Sequence, residues 1–125
     1  MKKILFICFS LFLISHFLGW EKFYEQFNNY DKIVHILAGA SAVFFFNWIL
    51  KEKGVNYSMG KTWFYSLIFL LVVSFFWEAF EYLVDNHWGR TTLTPLQIGA
   101  KDTLTDFLSN FVGGISALII LYFQK

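Results

Sequence analysis

The ionisable side chains within or at the edges of long apolar segments include His35, Glu78, Glu81 and Asp106. An ionisable group inside a membrane span costs about 2.5–3.5 kcal/mol on insertion scales and usually serves a function. Carboxylate oxygens with an imidazole could bind a divalent cation such as Mg²⁺, Mn²⁺, Ca²⁺ or Zn²⁺. Neighbouring carboxylates repel one another, which favours protonation or a shared cation. The four residues are therefore candidate metal ligands and candidate catalytic groups.

Four more residues are candidates for binding a substrate beside that set. Lys101 and Arg90 are bases that could hold a phosphate, and Asp102 and Asn110 lie at four-residue spacing from Asp106. Several candidates also have a structural explanation: Asp102 as a helix cap, and His35 and Asn110 as bridges between helices. The sequence has neither a glycine-rich phosphate loop nor a convincing serine or cysteine nucleophile with a base. A phosphohydrolase would need metal-activated water, and whether the protein is an enzyme stays open.

The elements that must position these groups are four apolar blocks. Of the 125 residues, 57% are hydrophobic and 15% charged, against about 45–50% and about 25% in soluble domains. A bilayer core about 30 Å thick needs about 20 apolar residues in a helix, and helices satisfy their own backbone hydrogen bonds in lipid. We predict an all-α integral membrane four-helix bundle, one domain over residues 1–125. Its predicted spans are about 4–20, 33–50, 62–84 and 103–123.

Composition also excludes several classes of protein. Disorder would leave too much apolar surface in water, and one cysteine cannot make a disulfide scaffold. A net charge of +1 with no basic stripe argues against a nucleic-acid partner. The first block could be a cleaved signal peptide, but no small-x-small cleavage site follows it, which favours its retention.

Lysine and arginine residues favour an N-in/C-in orientation. Six of the ten would then lie inside, a modest bias in the direction of the positive-inside rule. The protein would be a multi-pass protein of the cytoplasmic (inner) membrane of a bacterium. Because the chain runs alternately up and down, the candidate residues of all blocks fall in one leaflet, the outer one in this orientation.

The candidates also share helix faces. Asp31 and His35 begin one stripe, Glu78 and Glu81 follow Ser74 on a second, and a third carries Asp102, Asp106 and Asn110. Small residues continue two of these stripes and would let helices approach closely: Ala38 and Ala42, Gly113 and Ala117. The bundle would close in its inner half and open into a polar pocket in its outer half. Trp77 is assigned to an interfacial aromatic belt.

An ordered set of motifs resembles two related families of small bacterial membrane proteins. Asp31-Lys32-Ile33-Val34-His35, then Glu78-Ala-Phe-Glu81, then Asp106-x-x-x-Asn110-x-x-Gly113 is similar to the VanZ-like pattern. Trp77-Glu78-x-x-Glu81 and Asp102-Thr-Leu-Thr-Asp106 are more similar to YjdF-like proteins. The VanZ-like pattern has Gln where Glu81 stands and an arginine closer to the aspartate than Arg90. The resemblance implies a multi-span envelope protein, with one branch tied to teicoplanin resistance, and supplies no settled chemistry.

Three functions follow as hypotheses. The first is an envelope protein whose pocket binds a divalent cation and an anionic lipid or envelope-precursor headgroup. The second is a non-enzymatic protein whose polar network serves helix packing or lipid sensing. The third is a small proton-coupled transporter that acts as a homo-oligomer.

Overall fold

The structure is a computed structural model that describes residues 2–18, 29–87 and 99–124, and the side chains of these except at 84–87. The described residues form four helices: α1 (Lys2–Leu18), α2 (Tyr30–Glu52), α3 (Met59–His87) and α4 (Ala100–Phe123). Each helix covers most of one predicted block. Helix α4 begins directly after Gly99, whose φ of 106° is a conformation that favours glycine. The all-α prediction is confirmed for the described residues.

Among the described residues, three helical segments are long and apolar enough to cross a membrane: Tyr30–Glu52, Met59–Leu83 and Ala100–Phe123. Their outward faces carry large exposed apolar side chains such as Phe75 and Leu108. So much apolar surface suits contact with lipid rather than water. Helix α1 has 17 residues and is not among these three, so its crossing stays a prediction, as does the N-in/C-in orientation.

Helix α2 is the centre of the bundle and packs against the other three helices. Its closest contact is with α4. A Cβ added to Gly39 would overlap the backbone of Asn110, and one added to Gly113 would overlap the backbone of Ile36. Without a hydrophobic driving force between helices in lipid, such close backbone packing is a main source of association.

The small residues of this contact are those predicted for α4 but not those predicted for α2. Gly113 and Ala117 are buried, as expected. On α2 the small residue in close backbone contact with α4 is Gly39, which also borders a groove next to α1 and α3 together with Ala38 and Ala42. Glycine is needed at this position because the backbone of α4 lies so close to α2 that no space remains for the methyl group of an alanine.

Two ends of the bundle differ in character. At one end an apolar core joins the helices, with Val43, Phe44, Leu70, Ala117 and Leu118 fully buried. At the other end lie the start of α2, the last turns of α3 before Leu83 and the start of α4. We call this the polar end because it gathers the buried acidic side chains. Helix α1 is joined to α2 there by Tyr30, whose hydroxyl donates to the Ser15 carbonyl at 2.7 Å.

Candidate functional site: a buried polar cluster around His35

The polar cluster is centred on His35, which is only 2% exposed. It lies on the second turn of α2, where the imidazole points between α3 and α4. Two groups of possible ligand atoms include it, each within a mutual distance of 4.8 Å. One group is Asp31, His35 and Asp106, and the other is His35, Glu78 and Glu81.

On the α4 side of His35 the cluster contains its own cation. The Lys32 ammonium lies 2.9 Å from Asp102 Oδ1 and 3.1 Å from Asp31 Oδ2, and it pairs more closely still with Asp106 Oδ1. These ion pairs join the first turn of α2 to the first two turns of α4. Away from bulk water a charge pair is stronger than at a soluble surface. Lys32 therefore partly balances three carboxylates, and we call this set the lysine group (Asp31, Lys32, Asp102 and Asp106).

The two ring nitrogens of His35 face different partners. Nε2 lies 3.5 Å from Asp31 Oδ1 and 3.7 Å from Asp106 Oδ1, while Nδ1 lies 3.3 Å from the Asn110 side-chain nitrogen. An amide NH₂ donates, so in this arrangement Nδ1 accepts and the ring proton sits on Nε2, towards the carboxylates. Asn110 could turn its amide to offer oxygen instead, which would place the proton on Nδ1. The partner that orients a histidine in this way also fixes which nitrogen can bind a metal.

On the α3 side of His35 stand two glutamates, which we call the glutamate pair (Glu78 and Glu81). They are 5% and 4% exposed, and their three-residue spacing puts both on the buried stripe of α3 that also carries Ser74. The indole N–H of Trp77 donates to Glu81 Oε1 at 2.8 Å. Two carboxylates and an imidazole so close together and shielded from water would suit a divalent cation, whose charge of +2 would balance both glutamates.

The structure brings six of the eight candidate residues together in the polar cluster. They are His35, Glu78, Glu81, Asp102, Asp106 and Asn110. Lys101 is on the exposed face of α4 and makes no ion pair with any residue that the structure describes. Arg90 lies outside the described residues. The roles assigned to these residues as ligands, catalysts or substrate contacts stay predictions.

Sequence reasoning named neither Lys32 nor Trp77 as a candidate site residue, and it placed Asp31 on the stripe of His35 without making it a candidate. Lys32 appeared only within the family motif, and Trp77 was assigned to an interfacial belt. The signal for Asp31 and Lys32 was present, since both belong to the Asp-Lys-x-x-His motif at the start of α2. For Trp77 the signal was its four-residue spacing from Glu81, which on a helix lets the indole reach the carboxylate.

The comparison with protein families places the chain in a family of membrane proteins. The description "Predicted membrane protein (DUF2238)" matches residues 1–125. The chain thus belongs to the DUF2238 family, and it is a membrane protein with at least three helices able to span the bilayer. No curated protein and no solved structure shows significant similarity to the chain.

Proposed function

We propose that this protein binds a divalent cation between His35 and the glutamate pair, and through it the anionic headgroup of a lipid or envelope precursor. The observation that carries the proposal is the convergence of three buried ligand atoms within 4.8 Å. One imidazole with two carboxylates suits Zn²⁺ or Mn²⁺ better than Ca²⁺ or Mg²⁺, which prefer oxygen ligands alone. Three protein ligands leave coordination positions for a phosphate oxygen or water.

The lysine group supports the same proposal by its contrast with the glutamate pair. Asp31 and Asp106 form the other candidate ligand set, but Lys32 already lies between them and Asp102. A second cation there would repel the ammonium group, so His35 with the glutamate pair is the better site.

We place the protein in the cytoplasmic membrane of a bacterium, with the polar end in the outer leaflet. This placement rests on the Lys/Arg bias and on the resemblance to VanZ-like and YjdF-like proteins in the Asp31–His35, Glu78–Glu81 and Asp106–Gly113 motifs. Polar groups at that depth would face lipid headgroups of the outer leaflet. The orientation is checked by substituting a cysteine at Lys53 or at Lys101 and treating intact cells with a membrane-impermeant thiol reagent. Only the cysteine at position 101 should react.

The cation is tested on the purified full-length protein in detergent. After chelation and removal of the chelator, Zn²⁺ and Mn²⁺ are titrated by calorimetry and the retained metal is measured by elemental analysis. Wild-type protein should bind one ion, and Glu78→Gln should lower the affinity at least about tenfold, the loss expected of a ligand contact. Glu52→Gln is the matched control, because Glu52 pairs with Lys2 at the opposite end of the bundle.

A different outcome would redirect or reject the proposal. Loss of the metal in Asp106→Asn with full retention in Glu78→Gln would move the ion to the lysine group and contradict the site assignment. Full retention in both variants would reject a cation in the cluster.

The headgroup is tested by repeating the titration with phosphatidylcholine vesicles that do or do not contain phosphatidic acid. The anionic lipid should tighten metal binding.

A second candidate function is structural, and the lysine group favours it. Its ion pairs connect α2 to α4 about two helical turns from the Gly39 and Gly113 contacts, where they could fix helix packing without binding anything. In that case Glu78→Gln should lower stability in detergent, and overexpression should restore any cellular phenotype. A null phenotype at unchanged stability would contradict the structural function.

A further inference from the structure

A groove between α1, α2 and α3 runs along the bundle next to the polar cluster. Its volume is about 490 Å³, within the range of about 300–1,000 Å³ typical of ligand sites. Aromatic and aliphatic side chains make the wall, among them Phe9 of α1, Phe45 of α2 and Val73 of α3. The hydroxyls of Ser41 and Ser74, which also border the groove, are buried away from its surface. The groove thus offers hydrocarbon-like surface.

Two residues belong both to this groove and to the polar cluster. Trp77 lines the groove, and its indole N–H donates to Glu81. Asn110 lines it from α4, and its amide contacts His35. The groove and the cluster are therefore two parts of one site, apolar at depth and charged at the end where headgroups would lie.

The length and volume of the groove indicate the size of the ligand that fits it. On α2 it reaches from Ala38 to Trp48, which at 1.5 Å per residue is about 15 Å, or half of a hydrocarbon core about 30 Å thick. At roughly 30 Å³ per water-sized group, its volume accommodates on the order of sixteen chain carbons. A helix of a second copy, about 10–12 Å across, would fill roughly 1,200 Å³ or more over that length, over twice the volume of the groove, and a polyisoprenyl chain would extend beyond the groove.

We infer that the groove binds one acyl chain of a glycerophospholipid from the surrounding bilayer, with the phosphate of the same lipid at the polar cluster. This inference rests on the proposed function and names its ligand class. Hydrocarbon in the groove removes its apolar wall from any water that reaches the polar end. The chain would also hold the phosphate next to His35 and the glutamate pair, in the way that a remote binding group positions a reactive one.

The test uses the full-length protein in phosphatidylcholine vesicles that contain a trace of phosphatidic acid with a photoreactive acyl chain. After irradiation, labelled peptides are identified by mass spectrometry. Labelling at Phe9 and Phe45 should exceed that at Leu108 and Val112, which are exposed on α4 outside the groove, by about tenfold, the ratio that 1.4 kcal/mol of preference gives. Photoreactive phosphatidylcholine should show a smaller excess, and an unlabelled polyisoprenyl phosphate should not compete.

Variants that fill the groove separate this inference from the proposed function. Ala42→Phe should abolish the excess labelling while zinc binding in detergent is kept, and Ile115→Phe on the exposed face of α4 is the matched control. If Ala42→Phe does not fold, Ala38→Leu is used in its place. Equal labelling of both patches, equal labelling by both lipids, or excess labelling that survives Ala42→Phe would overturn the inference. Absence of zinc binding with the excess intact would reject the cation alone.

Discussion

Small residues of α2 have opposite effects at two places in the bundle. One is the contact of α2 with α4, and the other is the groove that α2 shares with α1 and α3. At the first, Gly39 and Gly113 let two backbones touch, and the lysine group lies about two helical turns from them along the same pair of helices. At the second, Ala38 and Ala42 face large aromatic side chains, and the helices leave a groove. Small side chains close an interface only where the opposing helix also presents a small side chain or bare backbone.

This difference explains why the charged groups of α2 and α4 can meet. The short approach of the two backbones brings Lys32 within reach of Asp102 and Asp106, although those residues are about 70 positions apart in the chain. Across the groove the described parts of α1 and α3 meet through long aromatic side chains instead, His16 and Phe12 with Trp77.

The largest expected effect on stability is at the close contact between α2 and α4. Gly113→Leu should destabilise the protein by more than about 4 kcal/mol, because the new side chain meets the backbone of α2, which cannot move aside. Gly60→Leu is the matched control, since nothing lies within 4 Å of a Cβ at that position. The free energy of unfolding is measured by titration with SDS from mild detergent. Equal stability of the two variants would refute the close α2–α4 contact.

Removal of the lysine charge should have the next largest effect. Lys32→Met leaves Asp31, Asp102 and Asp106 close together without the ammonium group, at a cost of about 3 kcal/mol. Lys101→Met, one helix face away and exposed, should change the free energy of unfolding by less than about 0.5 kcal/mol. The same SDS titration measures both, and a larger loss in Lys101→Met would contradict the assignment of Lys32 as the cation that balances the three carboxylates.

A smaller effect is expected where α1 is joined to α2. Tyr30→Phe removes the hydrogen bond to the Ser15 carbonyl and should cost about 1 kcal/mol. Tyr65→Phe, a half-exposed tyrosine of α3, serves for comparison and should be close to neutral. Thermal unfolding in detergent, followed by circular dichroism, compares the two. A loss in Tyr65→Phe as large as that in Tyr30→Phe would contradict the assigned contact.

The smallest effect on stability is expected in the groove. Ala42→Phe adds a side chain to existing space rather than to a packed contact, so the free energy of unfolding should change by less than about 1 kcal/mol. The informative quantity is the contrast with Gly113→Leu in the same SDS titration. A loss in Ala42→Phe comparable to that of the glycine variant would show that the groove is closed in the folded protein.

Much of the site was accessible from the sequence because helix periodicity is local. The spacing of Glu78 and Glu81, and that of Asp106 and Asn110, placed each pair on one buried face. Alternate crossing then predicted that both faces meet His35 at one end of the bundle. The sequence could not show that Lys32 rather than Lys101 meets the carboxylates, because a long flexible side chain at a helix start can point to lipid, to water or inward.

The residues alone determined the class of protein, the four apolar helices and the gathering of polar groups at one end, since length, hydropathy and spacing act along the chain. Only the tertiary structure decided which small residue of α2 meets α4, where the groove lies and which cation balances which acids. Those outcomes depend on the rotation of each helix about its own axis, and that rotation is set by the neighbouring helices rather than by the helix itself.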